Sequence, residues 1–337
     1  MRRPRGFGPA RPVLPAVAAV LLLASAATAC GTERADTTGG VGAATAAPRT
    51  SVTDPPVDGV RITSVTIPTA SQTRDSTPTP TPTPSRSLGL VHADPLPTGS
   101  GDSAGPGDSG ISAVYEITND GSESLTYTVL FTFTTSRGEV MSSKRETVRA
   151  VGAGRTVRGT VELGVLVPGA SPVTTAKVAE VTKVPAAEAP ADADVCPSSG
   201  IRLTADEGDA AMGLRVVGLH LENCGKKDYS LDGYPQLSLL DEDRRPVEGV
   251  QILQGGDSIS TGTGYDDPPS PLTLKPGETA VSGLIWRNTT EAGLDAVTVP
   301  YVRVRAKSGA APVIVTPHLD LGTTGKLGVG AWKRADR

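Results

Sequence analysis

From residue 111 onward, apolar and polar side chains alternate along the chain with a period of two. The clearest run extends from Leu125 to Thr134, where threonines separate aliphatic and aromatic residues. Such alternation is typical of β-strands with one buried face, because successive side chains of a strand point to opposite faces of the sheet. No segment after Cys30 sustains the 3.6-residue period of an amphipathic helix. The sequence therefore predicts an all-β fold.

Turn residues divide the predicted strands into two groups. Glycine and proline contribute 39 and 29 residues, and short strands separated by turns rich in these residues are typical of β-sandwiches. We predict two tandem immunoglobulin-like β-sandwich modules, at residues 111–186 and 195–335, with a short Ala/Pro-rich linker between them. Asn119-Asp120-Gly121 separates two alternating runs of the first module and is predicted to form a hairpin turn.

Two short motifs occur in both predicted modules. The segment Ile117-Thr118-Asn119-Asp120-Gly121 resembles Leu221-Glu222-Asn223-Cys224-Gly225, and Gly154-Arg155-Thr156-Val157 resembles Gly277-Glu278-Thr279-Ala280. In each module a strand ends at an apolar-x-Asn-x-Gly sequence, and a later glycine turn opens another strand. We interpret these pairs as one type of module used twice. Chance similarity between two β domains is the alternative.

The first 29 residues have the pattern of a secretory signal. Four arginines and no acidic residue stand at the start, a short apolar run extends from Ala16 to Ala27, and small residues precede Cys30. The run is shorter than the ~20 apolar residues that a membrane-spanning helix needs. We therefore predict that residues 1–29 are a signal peptide and that the protein is exported.

The three residues before Cys30 are Ala27-Thr28-Ala29, and this arrangement resembles the lipobox of bacterial lipoproteins. The resemblance implies that Cys30 receives a diacylglyceryl group, becomes the new N-terminus and anchors the protein to the outer face of the cell membrane. Ala27 stands where leucine is commoner in the lipobox. The alternative is a secreted protein with an incidental cysteine. Because the chain has three cysteines, lipidation of Cys30 would leave an even number for pairing.

The segment between Cys30 and the first module has a composition of its own. Gly, Pro, Ser and Thr make up 46 of the 80 residues from 31 to 110. Such a segment buries too little apolar surface to offset the entropy lost on ordering, so we predict a lipidated, disordered tether over residues 30–110. Alternating Thr and Pro at 76–84 favours an extended conformation, as in a spacer between membrane and modules. The run from Val60 to Ile67 is the one patch that fits a strand.

The other two cysteines are Cys196 and Cys224. Since export places them in an oxidising compartment, we predict a disulfide between them, with two free thiols as the alternative. Closing a loop of this length is worth about 3–4 kcal/mol in the chain-entropy model.

The second module resembles a domain of unknown function that is common in actinobacterial lipoproteins. The resemblance covers about residues 195–335. It rests on Cys196, Leu221-Glu222-Asn223-Cys224, Leu231-Asp232-Gly233-Tyr234-Pro235, Leu274-Lys275-Pro276-Gly277 and Leu284-Ile285-Trp286. It implies a β-sandwich, export and lipidation, and no activity or ligand. Family members often carry a further cysteine pair in the C-terminal half, which this chain lacks. We interpret Tyr234 and Trp286 as packing residues.

Two serines stand in sequences that resemble nucleophile motifs. Ser109 lies in Gly107-Asp108-Ser109-Gly110, and Ser103 lies in Gly101-Asp102-Ser103-Ala104-Gly105. Both precede the first module, and the strand and helix that a nucleophile elbow requires are absent from this sequence context. Lys307-Ser308-Gly309 resembles one motif of penicillin-binding proteins, but the accompanying S-x-x-K sequence is missing. We therefore predict no catalytic residue.

Metal, cofactor and nucleic-acid sites are not expected either. The three histidines, His92, His220 and His318, do not have metal-ligand spacing, and the acidic runs 206–209, 241–243 and 265–267 do not have the spacing of a calcium loop. The net charge is −4, and no cluster of lysines and arginines indicates nucleic-acid binding.

These features favour a membrane-anchored surface lipoprotein whose modules bind an unknown envelope protein or glycan, or support the envelope, without catalysis. The alternative is an envelope hydrolase with an unrecognised site, which would require a serine and an acid beside His220 or His318. A third class, the solute-binding subunit of a transporter, would require α/β lobes, and the sequence shows no alternation of strands and helices.

Overall fold

The computed structural model of the protein describes residues 47–68, 108–167 and 169–335. Within these ranges all regular secondary structure is β, in 21 strands, so the prediction of an all-β fold is confirmed. No helix in the described ranges is long and apolar enough to cross a membrane. The predictions for the signal peptide, for Cys30 and for most of the tether lie outside the described residues.

Module 1 consists of two antiparallel sheets that face each other. The first has the order β1-β2-β3-β6 and the second has the order β5-β4-β7. The strands are β1 (Arg49–Ser51), β2 (Val60–Thr66), β3 (Ser112–Asn119), β4 (Leu125–Thr134), β5 (Val140–Val151), β6 (Arg155–Glu162) and β7 (Thr175–Pro185).

The core of module 1 lies between these sheets and follows the alternation in the sequence. Tyr115 and Ile117 of β3 face Tyr127, Val129 and Phe131 of β4, and all five are buried in one cluster. The rings of Tyr115 and Phe131 pack with their centroids 4.8 Å apart. The threonines of β4 lie at the intervening positions, as the period of two predicts.

Asn119-Asp120-Gly121 does not form the predicted hairpin. A hairpin would pair β3 with β4, whereas β3 pairs with β2 and β6, and β4 pairs with β5 and β7. The segment instead carries the chain from one sheet to the other. Two alternating runs separated by a turn fit either arrangement, so local sequence does not distinguish a hairpin from a crossover.

The prediction of a tether over residues 30–110 is wrong for residues 47–68. These residues contribute β1 and β2 to the first sheet, and Val60, Ile62 and Val65 are buried in the core. The surrounding composition concealed a strand that pairs with β3 and contributes apolar side chains to the core of module 1. Module 1 therefore includes the run from Val60 to Ile67 that the sequence singled out.

Residues 69–107 connect two neighbouring strands of one sheet. Thr66 at the end of β2 is opposite Ser112 at the start of β3. Nearby, a Cβ atom placed on Gly110 would lie 2.8 Å from the Cγ of Pro68. The chain therefore leaves module 1 and returns to it at almost the same place.

Module 2 contains the remaining fourteen strands of the described chain. Its larger sheet has the order β13-β20-β15-β10-β8, with β9 on β10 and β21 on β15, and the second sheet has the order β12-β17-β18; β11-β14 and β16-β19 form two-stranded sheets. The strands are β8 (Ile201–Ala205), β9 (Asp209–Ala211), β10 (Leu214–Asn223), β11 (Tyr229–Leu231), β12 (Gln236–Leu240), β13 (Gln251–Gln254), β14 (Leu272–Leu274), β15 (Thr279–Arg287), β16 (Thr298–Val299), β17 (Tyr301–Arg305), β18 (Pro312–Val315), β19 (Leu319–Asp320), β20 (Lys326–Val329) and β21 (Lys333–Arg334).

Aromatic residues anchor the core of module 2. Trp286 and Trp332 are each 2 % exposed, and Tyr234 packs partly buried against the same cluster. The indole N–H of Trp286 donates to the carboxylate of Asp320 at 2.7 Å, and that of Trp332 donates to the carbonyl of Ala306 at 2.8 Å. The interpretation of Tyr234 and Trp286 as packing residues is confirmed.

Candidate functional site at the junction of the modules

An asparagine fixes the crossover between the two sheets of module 1. Asn119 is fully buried, and its Nδ2 donates to the carbonyls of Glu123 at 2.8 Å and Val151 at 2.7 Å. Its Oδ1 accepts from the N–H of Gly121 at 3.0 Å, and its backbone carbonyl accepts from the N–H of Gly154 at 2.7 Å. One side chain thereby satisfies three backbone groups where the strand pairing ends.

Module 2 repeats this arrangement at the corresponding motif. Asn223 Nδ2 donates to the carbonyls of Lys227 and Leu274, both at 2.8 Å, and its Oδ1 accepts from the N–H of Gly225 at 3.2 Å. The N–H of Gly277 donates to the backbone carbonyl of Asn223 at 2.7 Å. The two motifs that recur in the sequence therefore make matching hydrogen bonds, which supports their interpretation as one type of module used twice.

The predicted disulfide joins Cys196 to Cys224, with Cα atoms 5.7 Å apart. Cys224 directly follows Asn223, so the bond ties the entry of module 2 to its asparagine crossover. Beside it, the N–H of Gly225 donates to the carbonyl of Gly200 at 2.9 Å. The prediction of the pair is confirmed, and the pair lies at the end of module 2 that the linker enters.

The two modules meet through a small apolar cluster. Val184 at the end of β7 packs with Leu240, Tyr301 and Ile314 of module 2, and all four are buried. Ala189 packs against this cluster from the linker, which we define as residues 186–194. The N–H of Ile314 also donates to the carbonyl of Glu188 at 2.7 Å, so the linker backbone is attached to β18.

Acid–base pairs surround the apolar cluster with one consistent polarity. In each pair the acid belongs to module 1 or the linker, and the base belongs to module 2. The pairs are Glu123–Arg244 at 2.7 Å, Glu180–His318 at 3.1 Å and Glu188–Arg303 at 2.7 Å. The opposed charges of the two arginine pairs favour one docking orientation, although each partly exposed pair contributes only about 0–1 kcal/mol.

A polar cavity of about 410 Å³ lies at this junction. Its charged and aromatic lining comes from both modules: Asp58, Asp120, Tyr127, Lys183, Glu242, Asp243, Arg244 and Tyr301. Lys183 Nζ contacts Asp58 Oδ1 at 2.7 Å. Burial raises the pKa of Tyr301 above its ordinary value, so its hydroxyl remains protonated at neutral pH. The cavity offers hydrogen-bond donors and acceptors around a neutral phenol, a chemistry suited to binding polar groups.

Arg244 of the cavity combines an unusual backbone conformation with a buried side-chain donor. Its backbone φ is 63°, a left-handed conformation that is uncommon outside glycine. Its Nη2 pairs with Glu123, whereas its Nη1 is buried without a hydrogen-bond partner among the described residues. Such strain and an unmatched donor are more frequent at binding sites than elsewhere, which directs attention to this cavity.

A long loop covers the outer face of the larger sheet of module 2. In this strap, residues 255–267, Tyr265 lies over glycines of three adjacent chain segments. Gly218 and Gly283 are opposite each other on β10 and β15, and the N–H of Gly330 donates to the carbonyl of Gly283. A Cβ atom on Gly283 would lie 2.5 Å from the Tyr265 ring. The absence of side chains at these positions makes room for the ring.

His220 and His318 each have an acidic partner. His220 Nε2 lies 3.1 Å from Asp206 Oδ2, and Asp206 Oδ1 accepts from the N–H groups of Gly208 and Gly218. Among the described residues, no serine hydroxyl hydrogen-bonds to either histidine. Each histidine therefore has the acidic partner that the hydrolase alternative requires, and among the described residues neither has a serine hydrogen-bonded to it.

The other candidates from the sequence have local roles. The hydroxyl of Ser109 accepts from the N–H of Ile111 at 3.3 Å, within the turn that precedes β3. Lys307 Nζ donates to the carbonyl of Ser230 at 2.6 Å and lies 4.0 Å from the ring centroid of Tyr229. Ser103 and His92 lie outside the described residues. No group of three or more His, Cys, Asp or Glu side chains in the described ranges is placed to hold a metal ion.

The sequence singled out His318 and the acidic run 241–243, but it did not predict that these or the other junction residues come together. Glu188 and Arg303, for example, stand 115 positions apart and have no motif around them. A signal was present only in the linker, where Glu188 is an isolated acid between alanines and prolines.

Comparison with known families gives a match for module 2. Residues 196–333 match the model of a domain of unknown function, DUF4232. No curated protein matches the chain significantly. The matched range nearly coincides with the module predicted at 195–335 and includes both cysteines of the disulfide. Residues 196–333 are therefore similar to DUF4232, a domain of unknown function, and a second β module with the same asparagine crossover precedes them.

Proposed function

We propose that the protein is an exported lipoprotein, anchored to the outer face of the cell membrane by a lipid on Cys30. Its modules bind an envelope protein or glycan, or support the envelope, without catalysing a reaction. The signal-like residues 1–29 and the lipobox-like sequence before Cys30 support the anchor. The Cys196–Cys224 disulfide is consistent with an oxidising compartment outside the cytoplasm. We also propose that both modules are immunoglobulin-like. In module 2 this is supported by two facing sheets, which contain the antiparallel strands β8-β10-β15 and β12-β17-β18.

The observation that carries a binding role is the junction. Its apolar cluster and three acid–base pairs hold residues of both modules around one polar cavity. Ligand sites occur preferentially where domains meet, since two surfaces there converge on one volume. We therefore place the partner-binding surface at this cavity, with the strained Arg244 at its edge.

Site-specific photocrosslinking in living cells tests this placement. A photoreactive amino acid at Glu242, on the cavity, should yield one discrete crosslinked partner. The same group at Arg137, an exposed residue in the turn between β4 and β5 away from the junction, serves as the matched control. Equal crosslinking from both positions, or none from Glu242, would argue against a binding surface at the junction.

A Cys30→Ser exchange tests the anchor independently. We expect the variant to move from the membrane fraction to the soluble fraction, because an acyl chain contributes about 0.8 kcal/mol of membrane affinity per buried methylene. Thr28→Ser, which keeps a small residue before the cysteine, should remain in the membrane fraction. Full retention of Cys30→Ser in the membrane would show that the anchor is not a lipid on this residue.

A hydrolase is the second candidate, and the pairing of Asp206 with His220 is the observation in its favour. A fluorophosphonate probe, which labels activated serines, distinguishes the two functions. We expect no labelling of the full chain. Labelling that disappears in His220→Asn would replace the proposed binding role with an enzymatic one.

A further inference from the structure

A second cavity, of about 350 Å³, lies at one edge of module 2. There β8 ends one sheet and β18 ends the other, so no strand closes the gap between them. Ala187, Ala189 and Ala191 of the linker line the same cavity as residues of both strands. The linker is held in place by Glu188, whose carbonyl accepts from β18 and whose carboxylate accepts from Arg303 at 2.7 Å.

One wall of this edge cavity is aliphatic and reaches the core of the module, and Ser198, Ser199 and Ser308 line its polar part. Leu203 and Ala306 are each 3 % exposed and belong to the core cluster, and Ile201 and Val313 pack against the same cluster. An apolar group that enters such a cavity gains about 25 cal/mol for each Å² of surface removed from water. The volume is at the lower end of the range for small-molecule sites.

Among the described residues that line the edge cavity, Lys307 is the only charged one. Its ammonium group can donate three hydrogen bonds. One goes to the carbonyl of Ser230 at 2.6 Å, and the ring of Tyr229 lies beneath the nitrogen at 4.0 Å. No carboxylate of the described residues lies within ion-pair distance of it. The edge cavity therefore carries one positive charge, on Lys307. Its nitrogen is held by Ser230 and Tyr229 and has two further N–H groups that can donate to a ligand.

We propose that the edge cavity binds a single-chain aliphatic carboxylate. The hydrocarbon chain lies against Leu203, Ala306 and the linker alanines, and the carboxylate accepts a hydrogen bond from Lys307. One ammonium group matches one negative charge, whereas a phosphate dianion would leave a charge without a partner in a largely apolar site. This site is separate from the junction cavity and does not depend on lipidation of Cys30.

Titration with decanoate tests the proposal. The full chain carrying Cys30→Ser can be studied without detergent, which would compete for the site. We expect saturable binding in calorimetry and shifts of the amide NMR signals of residues 308–311. Lys307→Gln should weaken decanoate binding about tenfold, since a hydrogen bond to a charged group is lost, and should leave decanol binding unchanged. Lys226→Gln, at an exposed lysine elsewhere in module 2, is the matched control.

A second variant separates binding from folding. Ala191→Leu adds three carbons from the partly buried linker side and should weaken both ligands while the thermal midpoint stays within a few degrees of wild type. The proposal fails if decanoate gives no saturable binding. It also fails if Lys307→Gln binds decanoate as tightly as wild type, or if that exchange weakens decanoate and decanol equally.

Discussion

At the scale of single residues, Asn119 and Asn223 do what strand pairing cannot. Each lies where a strand leaves its sheet, and each binds two backbone carbonyls and one N–H group. A buried carbonyl without a partner costs about 1–3 kcal/mol. The recurring motif therefore meets the same hydrogen-bonding requirement in both modules.

Exchange of one asparagine should show this cost. We expect Asn223→Ala to lower the free energy of unfolding by about 2–4 kcal/mol, because it removes the donor from the buried carbonyl of Leu274 and from the part-buried carbonyl of Lys227. Urea unfolding measures the change, and Gln236→Ala, at an exposed strand position, is the control. A loss below about 1 kcal/mol would mean that water replaces the side chain at this crossover.

Glu116 predicts a pH dependence. It lies on β3 between Arg158 and Arg61, and hydrogen bonds from these two arginines lower the pKa of its carboxyl below the ordinary value of 4.5. Because the pKa is lower in the folded state, the stabilisation is complete above the unfolded-state pKa and is lost as the pH falls through the folded-state pKa.

The stability of Glu116→Gln should therefore depend less on pH between about pH 5 and pH 3 than that of wild type. Urea midpoints measured from pH 7 to pH 3 check this. Glu162→Gln, at an exposed carboxyl of the same sheet, should retain the wild-type profile. Parallel profiles for wild type and Glu116→Gln would contradict the assignment.

At the scale of elements, the alternation of side chains identified strands but not their partners. Residues Leu125 to Thr134 were recognisable as a strand with one buried face, and they form β4. The crossover at Asn119 was not recognisable, because a turn between two strands has the same residues whether the strands pair or face each other. The run from Val60 to Ile67 was a visible patch in a tether-like composition, and only its pairing with β3 shows that it belongs to a sheet.

The strap of module 2 gives an element-scale prediction. Gly283→Ala would place a Cβ atom 2.5 Å from the ring of Tyr265, so the strap must move. We expect a destabilisation of about 1–3 kcal/mol and faster proteolysis within residues 255–267. In a Tyr265→Ala background the same glycine exchange should cost much less, since its clash partner is gone. Additive effects of the two exchanges would indicate that the ring does not rest on this glycine.

At the scale of the whole molecule, the apolar cluster and the acid–base pairs of the junction join the two modules. These contacts join residues that are far apart in the sequence, so no local motif predicts them. The disulfide and the extent of module 2 were accessible from local sequence, whereas the docking of the modules depends on how two finished surfaces meet.

A charge swap tests this docking. Arg303→Glu places two acids together at Glu188 and should weaken the junction by about 1 kcal/mol or more. Adding Glu188→Arg should restore it. Small-angle scattering and NMR rotational correlation times of the full chain report whether the modules move independently. Arg305→Glu, at the other partly buried arginine of β17, is the control. Failure of the double exchange to restore the wild-type correlation time would mean that this pair does not orient the modules.

The connection of β2 to β3 changes what the Thr-Pro stretch can do. A linear tether sets the distance between a membrane and the module attached to it. Residues 69–107 leave and re-enter module 1 at almost the same place, so their length does not set that distance. Deleting residues 71–106 should leave Thr66 opposite Ser112 and the module folded. Should Cys30 carry the lipid, standoff from the bilayer depends on residues 31–46, whose extended length is at most about 55 Å. Insertions or deletions within residues 69–107 should then leave the distance between the bilayer and module 1 unchanged.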